Sequence, residues 1–304
     1  MFDIVSIGHL SIDSIFLPDR PKPFIVLGGS TAYVSFAARR LNARVSIVSK
    51  VGDDFPAAYM WWLRQESVDL SRVIKVKDAQ STRFELKYNT DLSDRILRLK
   101  SKAPPITIDD LPNSLKAKAI HIASIADETT YEIAEKLKSC AEVLSLDPQG
   151  LVRNFDENGN ITLCPIKDNR ILDLVDIYKS SLPEIEAVTN QSDLNSAIKT
   201  IHDHGVKAVI VTLGMKGAML SVEGNIYDIS ACKSNKTVDP TGAGDAFIGG
   251  FLVEYINDAN YLRCACVGSA VASLVVEAPG LTFSGDKTEI YRRAHALYEK
   301  EIKA

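Results

Sequence analysis

Hydrophobic and polar residues follow two different periods along this chain. Short runs of consecutive apolar residues alternate with longer stretches in which apolar residues recur every three or four positions. The short runs are typical of buried parallel strands and the longer stretches of amphipathic helices. Strands are predicted at 3–7, 45–49, 119–123, 142–147, 176–180 and 207–212, and helices at 30–41, 129–140, 193–204, 244–256, 260–277 and 287–301. This order predicts an α/β fold of three layers, a mostly parallel sheet with helices on both faces.

The pattern changes between residues 72 and 99. Three runs there, RVIKV, TRFELKY and RILRL, interleave charged with apolar residues, so that one face of each is wet and the other covered. We predict from them an antiparallel β flap over a pocket, with Phe84 and Tyr88 on the covered face. The alternative is an edge sheet whose aromatic residues pack on the body of the protein.

Composition and charge narrow the class of protein. The 304 residues are 46% hydrophobic and 24% charged, as in an ordinary globular chain of one large α/β domain or two small ones. A net charge of −4 and the lack of a basic run give no indication of a nucleic-acid binding surface. No apolar run approaches the roughly 18 residues of a membrane span. Five cysteines without a CxxC pair are typical of a reducing compartment. We expect a cytoplasmic protein that binds neither nucleic acid nor membranes.

The most informative stretch for chemistry is 238–251, VDPTGAGDAFIGGF. A glycine turn runs there into an apolar helix whose first turn carries Asp245. The unpaired N–H groups and the positive dipole end of such a helix favour a phosphate, and a carboxylate beside it is placed to accept a proton from a hydroxyl. Phosphoryl transfer to an alcohol needs this pair of features. The alternative is that Asp245 only caps the helix.

Polar residues also stand at the ends of several predicted strands. Asp13 follows the first strand, and 147–149, 179–181 and 212–214 follow later ones. Because the carboxyl ends of parallel strands meet at one edge of a sheet, these residues predict a single cleft. Asp13 could equally be a turn residue. The pair at 28–29, two glycines before a predicted helix, is either a capped turn or a hinge with amides facing a ligand.

These features occur in an order that resembles the ribokinase-like (PfkB) family of sugar and nucleoside kinases along the whole chain. The matching segments are Asp13, Gly28-Gly29, KVGDDF at 50–55, TLG at 212–214 with Gly217, and DPTGAGD at 239–245. The resemblance implies one ribokinase-like kinase domain over 1–304, with lid segments inserted at 14–26 and 80–102. It implies a transferase that uses Mg-ATP to phosphorylate a hydroxyl of a small molecule. Such lids pair between subunits in some relatives, which makes a homodimer through the lid one arrangement to expect.

The resemblance also implies roles for single residues. In the family pattern Asp245 is the general base, and the amides of Gly242, Ala243 and Gly244 form the anion hole. The residues placed at the phosphoryl acceptor are Asp13, Gly28, Gly29, Tyr33, Phe84 and Arg153. Those placed at the nucleotide are Ser181, Thr212, Gly214 and Gly217. Glu184 is the expected Mg²⁺ residue, through water, and Asp239 and Thr241 match positions that bind a monovalent cation such as K⁺ in some relatives.

Two departures from the family pattern bear on the substrate. The Asn-x-x-Glu motif is replaced by Ser181-Leu182-Pro183-Glu184, and Tyr33 stands where ribokinase has an asparagine that reaches the ribose. Ribose is therefore disfavoured. Segments 49–55, 93–97 and 147–153, together with the variant motif at 181–184, are similar to the myo-inositol kinase branch, so that myo-inositol is the favoured acceptor.

Other readings of the substrate and of the class stay open. Arg153 could recognise an acidic substrate, as in kinases of keto-deoxy sugar acids, or be a surface arginine at the start of a helix. A nucleoside kinase is an alternative within the family. A sugar-binding sensor that has lost catalysis is the alternative from another class.

Overall fold

The structure is a computed structural model and describes residues 1–303. Its strands, in chain order, are β1 (Phe2–Ile7), β2 (Ser11–Phe16), β3 (Phe24–Gly28), β4 (Val45–Gly52), β5 (Val68–Val76), β6 (Thr82–Tyr88), β7 (Arg95–Ser101), β8 (Ala117–Ala123), β9 (Ala141–Asp147), β10 (Arg153–Phe155), β11 (Ile161–Leu163), β12 (Ile177–Ser181), β13 (Ala208–Thr212), β14 (Ala218–Val222) and β15 (Asn225–Ile229). Its α-helices are α1 (Ser30–Arg40), α2 (Ala57–Gln65), α3 (Tyr131–Lys138), α4 (Leu182–Thr189), α5 (Leu194–Asp203), α6 (Ala243–Tyr255), α7 (Tyr261–Val275) and α8 (Lys287–Glu301).

Nine strands form the central sheet, in the order β15-β14-β13-β12-β9-β8-β1-β4-β5. The pairs from β13 to β5 are all parallel, and β14 and β15 add an antiparallel hairpin at one edge. Successive residues of a strand enter opposite cores. Ile4 and Ala119 pack with α1, α6 and α7, whereas Val5 and Ile120 pack with α3 and α5. Burial on both faces explains why the strands read as continuous apolar runs, and the predicted three-layer α/β fold is confirmed.

A smaller sheet of four strands, in the order β3-β2-β6-β7, forms the lid. Its outer pairs are antiparallel, but β2 and β6 run parallel, so the lid is not the wholly antiparallel flap that we predicted. A separate apolar core lies beneath it and includes Ile15, Phe84, Leu86 and Ile125.

Two local predictions are wrong. The run RVIKV, 72–76, belongs to β5, which pairs in parallel with β4 at the edge of the central sheet and not with the lid. An edge strand also has one wet and one covered face, so its pattern cannot be told from that of a lid strand. The alternative that placed Asp13 in a turn after β1 is also wrong, because Asp13 lies inside β2, which forms the central strand pair of the lid with β6.

The parallel strands bring their carboxyl ends to one edge of the central sheet, and lid residues face the same space. The cleft between lid and sheet edge is therefore where the chemistry is expected. Within residues 1–303, no helix has the length and apolar character needed to span a membrane.

Candidate active site

The cleft is lined from above by the lid and from below by α1, α6 and the loop after β9. It is open to solvent, and its empty space together with that open mouth amounts to about 370 Å³. The lid contributes Phe84 and Arg95, and the body contributes Tyr33, Arg153 and Asp245. Apolar side chains and polar groups that both donate and accept hydrogen bonds thus surround one small volume. This is the composition of a small-molecule site.

The glycine turn positions Asp245 at the start of α6. Gly242 is the residue before the helix and has a left-handed backbone, with φ of 75°. The amide of Ala243 donates to the Pro240 carbonyl at 3.3 Å, whereas no acceptor outside α6 is found in the described chain for the amides of Gly242 and Gly244. An anion hole at this helix end would therefore be formed by Gly242 and Gly244, and Ala243 is engaged in the turn itself.

Gln149 holds the carboxylate of Asp245. It stands after a predicted strand, but no role was predicted for it. Gln149 donates from Nε2 to Asp245 Oδ1 at 3.3 Å and to Ser30 Oγ at 2.8 Å. Its Oε1 accepts from the Arg153 guanidinium, which also donates to the Ile125 carbonyl at 3.0 Å. Arg153 lies on β10 and faces the cleft, so its reading as a surface arginine at a helix start is wrong.

Asp13 and Gly29 line the opposite wall of the cleft, and Gly28 lies against the Asp13 carboxylate. The Asp13 side chain is buried and accepts from Ser11 Oγ at 2.6 Å. A Cβ built on Gly28 would lie 2.0 Å from Asp13 Oδ2, so a larger residue at position 28 would displace the carboxylate. Burial raises the pKa of Asp13 to about 6, against the opposing effects of the Ser11 hydrogen bond and the charge of Arg95.

Tyr33 lies between this wall and the glycine turn. Its ring covers Gly242, where an added Cβ would come within 2.2 Å of a ring carbon. Tyr33 is one of the residues that line the cleft, and its buried hydroxyl has no hydrogen-bond partner in the described part of the chain. Buried hydroxyls are nearly always hydrogen-bonded, so an unpaired one at a cleft indicates a ligand group.

A chain of hydrogen bonds joins the lid to the glycine turn. Arg95 Nη1 donates to the Tyr88 hydroxyl at 2.7 Å, and that hydroxyl lies 2.9 Å from Thr241 Oγ1. Thr241 Oγ1 and its amide both donate to Asp239 Oδ1, and the amide of Gly280 donates to Asp239 Oδ2. Asp239 thus fixes the turn, and a monovalent cation at Asp239 and Thr241 stays a prediction.

The residues predicted at the nucleotide lie at the carboxyl ends of β12 and β13. Thr212 ends β13 and donates from Oγ1 to the Ser180 carbonyl at 3.2 Å, and Gly214 and Gly217 bound the turn that follows. Ser181 caps α4, where Glu184 Oε2 accepts from the Ser181 amide at 2.7 Å and hydroxyl at 2.6 Å. The serine that replaces the asparagine of the family motif is therefore engaged with Glu184.

A buried ion pair lies between the two halves of the site. Lys179 Nζ is 2.6 Å from Asp147 Oδ2, and the two side chains are 5% and 0% exposed. Both residues stand at predicted strand ends, but neither was predicted as a site residue. Their adjacency follows from the pairing of β9 with β12, which a single-sequence pattern does not specify.

Comparisons with known proteins place the chain beside a family of kinases. The model of the pfkB family carbohydrate kinases matches residues 1–288. The cytidine kinase of Thermococcus kodakarensis is 29% identical over 287 residues, which cover 92% of this chain and 98% of that protein. The inositol 3-kinase of Arabidopsis thaliana is 27% identical over 263 residues, or 84% of this chain and 68% of that protein. A sulfate complex of a pyrophosphate-dependent kinase in the ribokinase family has a TM-score of 0.81 at 25% identity, covering 95% of this chain and 99% of that one.

Proposed function

Because the chain belongs to the pfkB family of carbohydrate kinases, we propose that it transfers a phosphoryl group from ATP to a hydroxyl of a small polyol, with myo-inositol as the favoured acceptor. One observation carries the proposal. Asp245, at the N-terminus of α6, lines the same small cleft as Asp13, whose carboxylate is buried, and Tyr33, whose hydroxyl is unpaired in the described chain. A proton acceptor, an anion-binding helix end and partners for several hydroxyls meet there.

The proposed reaction moves one proton and one phosphoryl group. The acceptor hydroxyl gives its proton to Asp245 while its oxygen forms a bond to the terminal phosphorus of the donor. The bond between that phosphorus and the bridging oxygen breaks, and the electron pair stays on the bridging oxygen of the departing ADP. The amides of Gly242 and Gly244 stabilise the negative charge on the transferred group by hydrogen bonds.

A magnesium ion would need oxygen ligands from the phosphates of the donor as well as from the protein. No group of three or more His, Cys, Asp or Glu side chains that could hold a metal occurs in residues 1–303. Mg²⁺ is commonly held by one or two carboxylates, water and substrate phosphates, and Glu184 is the carboxylate that would hold it here. When bound, the ion would neutralise part of the donor's charge.

The lining of the acceptor cleft supports a polyol. Asp13 accepts hydrogen bonds, Arg95 and Arg153 donate them, and Tyr33 can do either. A ring that carries hydroxyls on every side can form hydrogen bonds with groups arranged around the whole cleft. The resemblance to the inositol 3-kinase supports this acceptor, and the resemblance to the cytidine kinase supports a nucleoside as the competing one.

A panel assay tests the proposal. Purified protein is incubated with Mg-ATP and, one at a time, myo-inositol, ribose, cytidine, adenosine, fructose 6-phosphate and keto-deoxygluconate, and ADP release and the phosphorylated product are measured. We expect the highest kcat/KM with myo-inositol. Higher turnover of a nucleoside or of the sugar acid would contradict the polyol proposal. Ligand binding without turnover of any compound would indicate a sensor.

The raised pKa of Asp13 predicts a pH dependence of acceptor binding. If the ionised carboxylate accepts a hydrogen bond from the substrate, protonation below its pKa of about 6 removes that acceptor. The acceptor KM should then rise as the pH falls, by about tenfold for each pH unit below the pKa. Initial rates from pH 5 to 8 measure this. The Asp13→Asn variant should have a raised KM that no longer changes across this range, and an unchanged slope in the variant would contradict the assignment.

A further inference from the structure

Lys179 is a buried cation with unused hydrogen-bonding capacity. Its side chain is 5% exposed, and Asp147 is its one hydrogen-bond acceptor in the described chain. An ammonium group has three N–H donors, so two of them point to no protein acceptor. Buried polar groups are seldom left unpaired, and a cation least of all. The position therefore indicates a negatively charged or oxygen-rich ligand next to Lys179.

The location of Nζ identifies the kind of ligand. A Cβ built on Gly244 would lie 3.0 Å from Lys179 Nζ and 3.9 Å from Thr212 Oγ1. The ammonium thus lies against the first turn of α6, on the side where β12 and β13 end. The helix end and the ammonium offer positive charge to the same small space, and a phosphate there would accept hydrogen bonds from both.

The surrounding charges keep Lys179 protonated. Burial alone would lower its pKa, but the carboxylates of Asp147, Asp245 and Glu184 outweigh burial and raise it. Glu184 is bound by Ser181, and Asp245 is the proposed base, so Asp147 serves as the fixed partner of the ammonium. A full positive charge is therefore available beside the glycine turn at neutral pH.

We propose that Lys179 is a catalytic residue whose ammonium group binds the non-bridging oxygens of the phosphate being transferred. The proposal rests on the proposed function and adds a fixed cation to the anion hole of Gly242 and Gly244. Lys179 keeps its proton throughout, while Asp245 receives the proton of the acceptor hydroxyl. The terminal phosphate of a nucleoside triphosphate and that of pyrophosphate offer the same oxygens, so the site is defined by the phosphate and not by the base.

A pair of variants separates this role from a structural one. Removing Lys179 alone would leave Asp147 buried and unpaired and could unfold the protein. The comparison is therefore between Asp147→Asn and the double variant Lys179→Met with Asp147→Asn, which differ only in the ammonium. Lys199→Met, at an exposed lysine of α5, is the control for loss of a positive charge.

Calorimetry with a non-hydrolysable ATP analogue, with inorganic pyrophosphate and with AMP measures donor binding without turnover. We expect the double variant to bind the triphosphate analogue, the pyrophosphate or both roughly tenfold more weakly than Asp147→Asn, with equal affinity for AMP. Its kcat on the best acceptor should fall by about 10- to 100-fold relative to the same reference. Equal affinity for both phosphate probes in the two variants would overturn the proposal. These binding measurements need no acceptor, so they can fail or succeed independently of the panel assay.

Discussion

Replacing Asp245 by asparagine should lower kcat by about 10²- to 10⁴-fold and leave the affinities for acceptor and donor nearly unchanged. Asparagine has the same shape, and its carbonyl oxygen can still accept the hydrogen bond that Gln149 donates to Asp245. It cannot take up the proton of the acceptor hydroxyl. Single-turnover rates and calorimetric binding of acceptor and ATP analogue measure the two effects separately.

The matched control is Asp228→Asn, which removes an exposed carboxylate on β15. This variant should keep the native kcat, since Asp228 lies away from the residues that line the cleft. If Asp245→Asn retains the native rate, Asp245 is not the base, and the capping alternative for this residue gains support.

The sequence was informative wherever one local pattern decides the structure. The buried parallel strand β13 reads as an apolar run because helices cover both faces of the central sheet. β5 was misplaced because it is an edge strand, with the alternation that a lid strand also has. The pairing of β2 with β6 was missed because nothing in either strand specifies the direction of its neighbour.

The same limit applies to the site. The glycine turn and Asp245 are contiguous, so their proximity could be predicted from the chain alone. Gln149 lies 96 positions from Asp245, and Lys179 lies 32 positions from Asp147. Contacts of this kind depend on strand order and on loop paths. Polar residues at strand ends were the available signal for both Gln149 and Lys179, but that signal places a residue at an edge and does not name its partner.

Two lid residues that were correctly predicted on the same covered face have different roles. Phe84 and Tyr88 were predicted on one covered face, and both are buried. Phe84 lines the cleft, whereas the Tyr88 hydroxyl is bonded between Arg95 and Thr241. The lid is thereby tied to the residue that precedes Gly242, and the lid's position and the geometry of the anion hole are physically linked. A substitution that displaces the turn at Gly242 would therefore disturb the lid as well.

The Gly242→Ala variant should lower kcat by about 10²- to 10³-fold, the loss typical of removing an anion-hole donor. Gly242 has φ of 75°, and its Cβ position lies 2.2 Å from the ring of Tyr33. A methyl group there would force the turn or the tyrosine to move. A displaced turn takes its amides away from the phosphoryl group, and a displaced Tyr33 disturbs the wall of the cleft. Steady-state kinetics gives the rate, and urea denaturation gives the change in the free energy of unfolding.

Gly224→Ala provides the control. Both glycines have a left-handed backbone, but only the Cβ position of Gly242 lies against another side chain. Gly224 has φ of 80° in the β14–β15 hairpin and no atom within 4 Å of its Cβ position. Each alanine should reduce the free energy of unfolding by roughly 1–2 kcal/mol through its left-handed backbone. Only Gly242→Ala should also lose turnover. Similar kcat values for the two variants would contradict the assignment. Backbone strain alone would then explain the effect of Gly242→Ala, and the turn would not hold the phosphoryl group.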